Sequence, residues 1–134
     1  MTDAFTHRIR VRYAEIDAQN VVFNAHWLTY FDESCSRFMD SLGFGENFWV
    51  NEFDVMLVKA VLEWSGPARF NDWIDVVVAP VRLGTKSFDL RFEARVEDRA
   101  ACSAVITYVA IRPGTNESVT IPEKVRDVLA IRPR

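Results

Sequence analysis

The chain has 134 residues, 49% of them apolar and 26% charged, with a formal net charge of −3. That length suits one ordinary domain and that balance a globular one. The mild acidity excludes a general nucleic-acid binder, which needs a basic excess. Cys35 and Cys102 are too few and too far apart for a disulfide framework and read as reduced thiols. No apolar run approaches the roughly 18 residues that a membrane span needs, and MTDAFTHRIR lacks the apolar core of a signal peptide. The expectation is a cytoplasmic protein without nucleic-acid or membrane partners.

In chain order, Phe5, His7, Ile9, Val11 and Tyr13 alternate with Thr6, Arg8, Arg10 and Arg12. This two-residue period predicts a half-buried strand with a solvated basic face. From Asn24 the period changes. Leu28, Phe31, Cys35, Phe38, Met39 and Leu42 recur at three- and four-residue steps, the stripe of a long helix. Asn24 suits its cap and Gly43 its end. A short helical piece is expected over Glu46 to Glu52.

Val58, Ala60, Leu62 and Trp64 then alternate with Lys59, Val61 and Glu63 in a second strand, followed by the turn residues of GPARFND. WIDVVVAPVRL is a third strand whose Pro80 predicts a bulge or an edge. Phe88, Leu90, Phe92, Ala94 and Val96 give a fourth strand its dry face. SAVITYVAI is apolar on both faces and is expected to lie inside the sheet, and Pro122 to Leu129 reads as a closing helix. The order predicts an α+β domain, a five-stranded antiparallel sheet wrapped around one long helix. Its uncovered face and edges predict at least a dimer.

The connection DAQNVVFNAHW is too apolar for a solvated loop. Together with its flanks, YAEIDAQNVVFNAHWLTYFDESCSRF resembles the signature of the 4-hydroxybenzoyl-CoA thioesterase family, of the hotdog fold. Tyr13, Asp17, Val21, Val22, Phe23 and Leu28 fall on that signature. PARFND and LGTKSFDLRFEARV are similar to its downstream segments, so the resemblance spans nearly the whole chain, residues 1–134, as a single hotdog thioesterase domain. Three positions depart from it: Glu15 stands for Asp, Asn20 for Gly and Trp27 for Tyr. Asn is the non-glycine residue that best tolerates a left-handed backbone, so the turn is expected to survive.

Taken alone, Asp17 reads as a turn or cap acid. The resemblance implies that it is the catalytic carboxylate, acting as nucleophile or general base on a thioester, with an amide at Asn24 polarising the carbonyl. It implies further that Lys86 and Ser87 help to hold coenzyme A, often from a partner subunit, with Arg82 nearby. On their own these residues read equally as a solvated strand end. Val22, Phe23 and Trp27 are candidate walls of the acyl site, as are Trp49, Phe53 and Met56.

Competing chemistry is weaker. Cys35 and His26 on one helix would be separated by about 13.5 Å of rise. A Gly-x-Ser-x-Gly elbow and a metal-ligand cluster are both missing from the sequence. His26 falls opposite the apolar stripe and reads as solvated. Glu33, on the same side, reads as an ion pair with Arg37. Glu15 either raises the Asp17 pKa or faces solvent. Arg8, Arg10 and Arg12 read as solvated rather than phosphate-binding. The resemblance thus implies an acyl-CoA thioesterase without cofactor or metal, as a homodimer or homotetramer. The alternatives are a thioesterase for acyl carrier protein and a non-catalytic acyl-CoA-binding module.

Overall fold

The computed structural model describes residues 4–45 and 48–130. Its strands are β1 (Phe5–Arg10), β2 (Asp54–Trp64), β3 (Trp73–Leu83), β4 (Ser87–Val96) and β5 (Arg99–Ile111). They form one antiparallel sheet in the order β1-β3-β4-β5-β2. The long helix α1 (His26–Asp40), the short α2 (Phe48–Asn51) and the closing α3 (Glu123–Leu129) complete the chain. This is the α+β architecture that the periodicities predict. Within the expected Glu46–Glu52 piece, residues 46 and 47 and the Trp49 side chain lie outside the described residues.

The sheet's inner face is built by strict alternation. Phe88, Leu90, Phe92, Ala94 and Val96 of β4 are all buried, and so are Ala104, Ile106, Tyr108 and Ala110 of β5. α1 lies on this face, with Phe31 against Phe92 at 5.2 Å and Phe38 edge-on to Phe5 at 5.6 Å between ring centroids. β5 runs between β4 and β2, an interior position as its composition predicts.

The buried stripe of α1 differs from the expected one. Trp27, Tyr30 and Ser34 join Phe31, Cys35, Phe38 and Met39 in the interior, while Leu28 is 39% exposed. The helix is rolled towards β1 and β3, so its Leu28 flank is left uncovered. β2 also departs from simple alternation. A bulge between Leu57 and Lys59 resets its phase, so Val58 does not share a face with Ala60 and Leu62. At Pro80 both expectations hold. A bulge follows it, and β1 begins at the Phe5–Val78 pair, so among the described residues no strand neighbours Pro80 on that side.

Candidate active site

Between β1 and α1 the chain forms a small hairpin. Phe23 N–H donates to Glu15 O at 3.0 Å, Asp17 N–H to Val21 O at 2.9 Å, and Asn20 N–H closes the turn on Asp17 O at 2.9 Å. Asn20 has φ 64°, the left-handed conformation that its side chain tolerates. The hairpin is itself bonded to the β2–β3 connection: Val22 N–H donates to Ala68 O at 2.8 Å, and Val21 bridges Arg69. Val22 is buried there and Val21 half-buried. The apolar run is therefore a strand-like element with a dry side.

Asp17 is half-buried on the first arm of this hairpin. Its Oδ1 accepts from the Gln19 N–H at 2.8 Å, and among the described residues nothing binds its second oxygen. The second arm leads within three residues into α1. Here the cap differs from expectation: the helix begins at His26, Ala25 holds the cap position, and no side chain caps it. Asn24 lies one residue earlier, exposed in the preceding turn. The His26 N–H donates to Phe23 O at 2.9 Å, whereas the amides of Asn24 and Ala25 find no acceptor among the described residues. A carboxylate with an unoccupied oxygen and a helix start with unused amides thus stand on the two arms of one hairpin. Such a start attracts a developing negative charge.

Glu15 neither faces solvent nor lies free beside Asp17. It is 6% exposed and both its oxygens are occupied. Oε1 accepts from the Arg12 N–H at 2.8 Å and the Tyr30 hydroxyl at 2.9 Å. Oε2 accepts from Arg12 Nη2 at 2.7 Å and Nε at 3.0 Å. Burial alone would raise its pKa, but the Arg12 and Tyr30 bonds outweigh it and hold the carboxyl below the ordinary glutamate value. Tyr30 is pushed well up in turn, first by burial and then by Glu15. Nothing in the sequence pairs Tyr30 with Glu15; only its place beside Phe31 on the helix stripe marks it as inward.

The other candidates divide. Phe23 is 46% exposed and meets the His26 ring edge-on at 6.0 Å, so His26 is half-buried rather than fully solvated. Trp27 is 2% exposed and packs edge-on against Tyr30 at 5.6 Å. Glu33 does not pair with Arg37. It binds His7 Nε2 at 2.8 Å, while Arg37 turns to Asp40 at 3.2 Å, because β1 passes under that flank of the helix. Lys86 and Ser87 lie at the β3–β4 turn. There the Ala110 N–H donates to Lys86 O at 2.8 Å and Arg82 Nη2 donates to Ser87 Oγ at 2.8 Å. The hairpin of Asp17 sits at the other end of β3, on the order of 30 Å away along the strand. One chain brings together Asp17, Val22, Phe23 and Asn24, and leaves Lys86 and Ser87 remote.

Comparison with known proteins gives this arrangement its family. The Thioesterase-like superfamily matches residues 11–129. A 1,4-dihydroxy-2-naphthoyl-CoA hydrolase of Nostoc punctiforme is 21% identical over 124 residues, covering 91% of this chain and 84% of the relative. The crystal structure of a hypothetical protein from Aquifex aeolicus superposes with a TM-score of 0.85 at 28% identity, over 93% of this chain and 98% of that one. The structure of a gentisyl-coenzyme A thioesterase superposes with a TM-score of 0.86 at 24% identity, over 94% and 100% of the two chains. Among the described residues no helix is long and apolar enough to cross a membrane. The chain belongs to the Thioesterase-like superfamily, with the hotdog fold and the thioester-hydrolysing chemistry of that family.

Proposed function

We propose that the protein is an acyl-CoA thioesterase of the 4-hydroxybenzoyl-CoA thioesterase type, converting an acyl-CoA and water to a carboxylate and coenzyme A. The observation that carries this reading is the hairpin that holds Asp17 on one arm and the open amide end of α1 on the other. In the proposed mechanism the thioester carbonyl accepts a hydrogen bond at the start of α1, where Asn24 and Ala25 N–H are unused. Asp17 takes a proton from the attacking water, or attacks the carbonyl carbon to give a mixed anhydride that water then hydrolyses; on either route the thiolate of coenzyme A leaves. Val22 and Phe23 would keep bulk water from the acyl group. The Gln19 N–H holds Oδ1, and the second oxygen has no partner among the described residues.

The proposal includes a second copy of the chain. β2 is an edge strand, and its register with β5 turns Val55, Leu57, Ala60, Leu62 and Trp64 to the same face as the buried Tyr108 and Ala104. Val55, Ala60 and Leu62 are half-buried against the core, yet Leu57 is 45% exposed and Trp64 56%. An apolar strand edge of this kind is normally paired. A partner is also what brings Lys86 and Ser87 within reach of a coenzyme bound at Asp17.

The test is thiol release over a panel of acyl-CoA thioesters, with the same acyl groups on acyl carrier protein alongside. Turnover of the coenzyme A forms is expected. Turnover confined to the carrier-protein forms would move the substrate to the second class, and tight binding of acyl-CoA without any thiol release would make the protein a binding module.

A further inference from the structure

A closed ring of hydrogen bonds joins the Asp17 hairpin to the first turn of α1. The Phe23 N–H donates to Glu15 O at 3.0 Å, and the His26 N–H donates to Phe23 O at 2.9 Å. His26 opens α1, and Tyr30 follows one turn later, about 6 Å along the axis. The Tyr30 hydroxyl then donates back to Glu15 Oε1 at 2.9 Å and closes the ring. Among the described residues no other α1 side chain hydrogen-bonds residues 11–24. The ring encloses the unused amides of Asn24 and Ala25. Asp17 stands two residues after Glu15, about 7 Å of extended chain.

Both ends of the Tyr30–Glu15 tie are fixed. Glu15 is buried and takes three N–H donors from Arg12, one of the main chain and two of the guanidinium. Tyr30 is buried and set edge-on against Trp27. Burial and then the Glu15 charge push Tyr30 well up, so its hydroxyl remains a donor at any working pH. A buried ion pair adds little stability that apolar packing of the same volume would not supply. What the charged acceptor adds is direction: it holds the tyrosine, and with it the helix, at one distance from the hairpin.

We propose that Tyr30 is a positioning residue of the reaction, setting through Glu15 the distance between Asp17 and the open amides of α1. The inference rests on the thioesterase reading above. Tyr30 moves no proton and forms no bond to the substrate. Misplacing a reacting group by about 1 Å costs up to about a hundredfold in rate, so loss of the tie is read in kcat.

The experiment uses two variants that separate position from stability, on the acyl-CoA that wild type hydrolyses fastest. Tyr30→Phe removes the tie and leaves Glu15 all its Arg12 bonds, so it should melt close to wild type. Its kcat should fall at least about tenfold, with KM little changed. Glu15→Gln keeps an oxygen for the Tyr30 hydroxyl but loses the charge that holds Arg12. It should melt lower than Tyr30→Phe at pH 7 and yet keep more of its kcat. Amide hydrogen exchange adds a readout that needs no turnover. In Tyr30→Phe the amides of Asp17, Phe23 and His26 should exchange at least about tenfold faster, and those of β4 and β5 at the wild-type rate.

A near wild-type kcat in Tyr30→Phe overturns the proposal, as do losses of kcat that follow melting temperature across the two variants. Unchanged exchange in the hairpin also overturns it. If wild type hydrolyses no acyl-CoA, the thioesterase reading fails by itself, and the exchange rates still decide whether Tyr30 holds the hairpin.

Discussion

At the scale of single residues, two acids two positions apart in sequence have different work. Asp17 keeps one carboxylate oxygen open, and Asp17→Asn should lower kcat at least about a hundredfold, since an amide neither attacks a thioester nor takes a proton from water. Coenzyme A affinity and melting temperature should barely move. His26→Ala and Glu33→Gln, assayed in parallel, should keep most of the activity; a dead Glu33→Gln beside an active Asp17→Asn would transfer the chemistry to α1. Glu15, in contrast, is structural. Its pKa is held below the ordinary 4.5 by Arg12 and Tyr30, so it favours the folded state above about pH 4.5, and that contribution is lost as pH falls through its folded value. Glu15→Gln should therefore lower the melting temperature at pH 7 and flatten its decline below about pH 4.5, as thermal melts at several pH values will report. The proposal for Asp17 comes from its place in the motif. The partnership of Glu15 and Tyr30 was not legible in the sequence, because it joins residues fifteen positions apart on two elements.

At the scale of elements, the Asp17 hairpin depends on the left-handed turn at Asn20. Gly accepts that conformation freely, Asn at small cost, and a residue with an ordinary β-carbon at a cost of about 1–2 kcal/mol. Asn20→Ala should therefore lower stability by about that amount and lower kcat with it, whereas Asn20→Gly should keep both close to wild type. Denaturant melts paired with thiol-release rates will separate the two. The periodic reading of α1 located the helix but misplaced one edge of its buried face. A three- or four-residue recurrence admits Leu28 and Trp27 alike, and only the position of the sheet decides which of them is covered. The β2 bulge escaped for a related reason: alternation in sequence continues through Val58, while the ladder with β5 does not.

At the scale of the molecule, the uncovered inner face of β2 gives the test of assembly. Leu57 is nearly half exposed in the single chain, so Leu57→Asp should leave the fold intact while placing a charge in the proposed contact. Light scattering should show wild type as at least a dimer and Leu57→Asp shifted towards monomer, with activity falling in step. An active wild-type monomer at micromolar concentration would remove the second copy from the mechanism. Lys86 belongs to the same test. Remote from Asp17 in its own chain, it should act only across the assembly. Lys86→Ala should raise KM for acyl-CoA more than it lowers kcat, with little effect on a pantetheine thioester that lacks the nucleotide.

By itself the sequence determined the elements, their order and the apolar alternation of the interior strands, because these depend on periods of two and 3.6 residues that every side chain reports locally. It also placed Asp17 on a short segment whose pattern is written in consecutive residues. The tertiary structure alone decided which flank of α1 is buried, that Glu15 is committed to Arg12 and Tyr30, and that Lys86 and Ser87 stand at the far end of the sheet from Asp17. Each of these is a relation between residues far apart in the chain, set by how a rigid helix seats on a twisted sheet, and no local period encodes it.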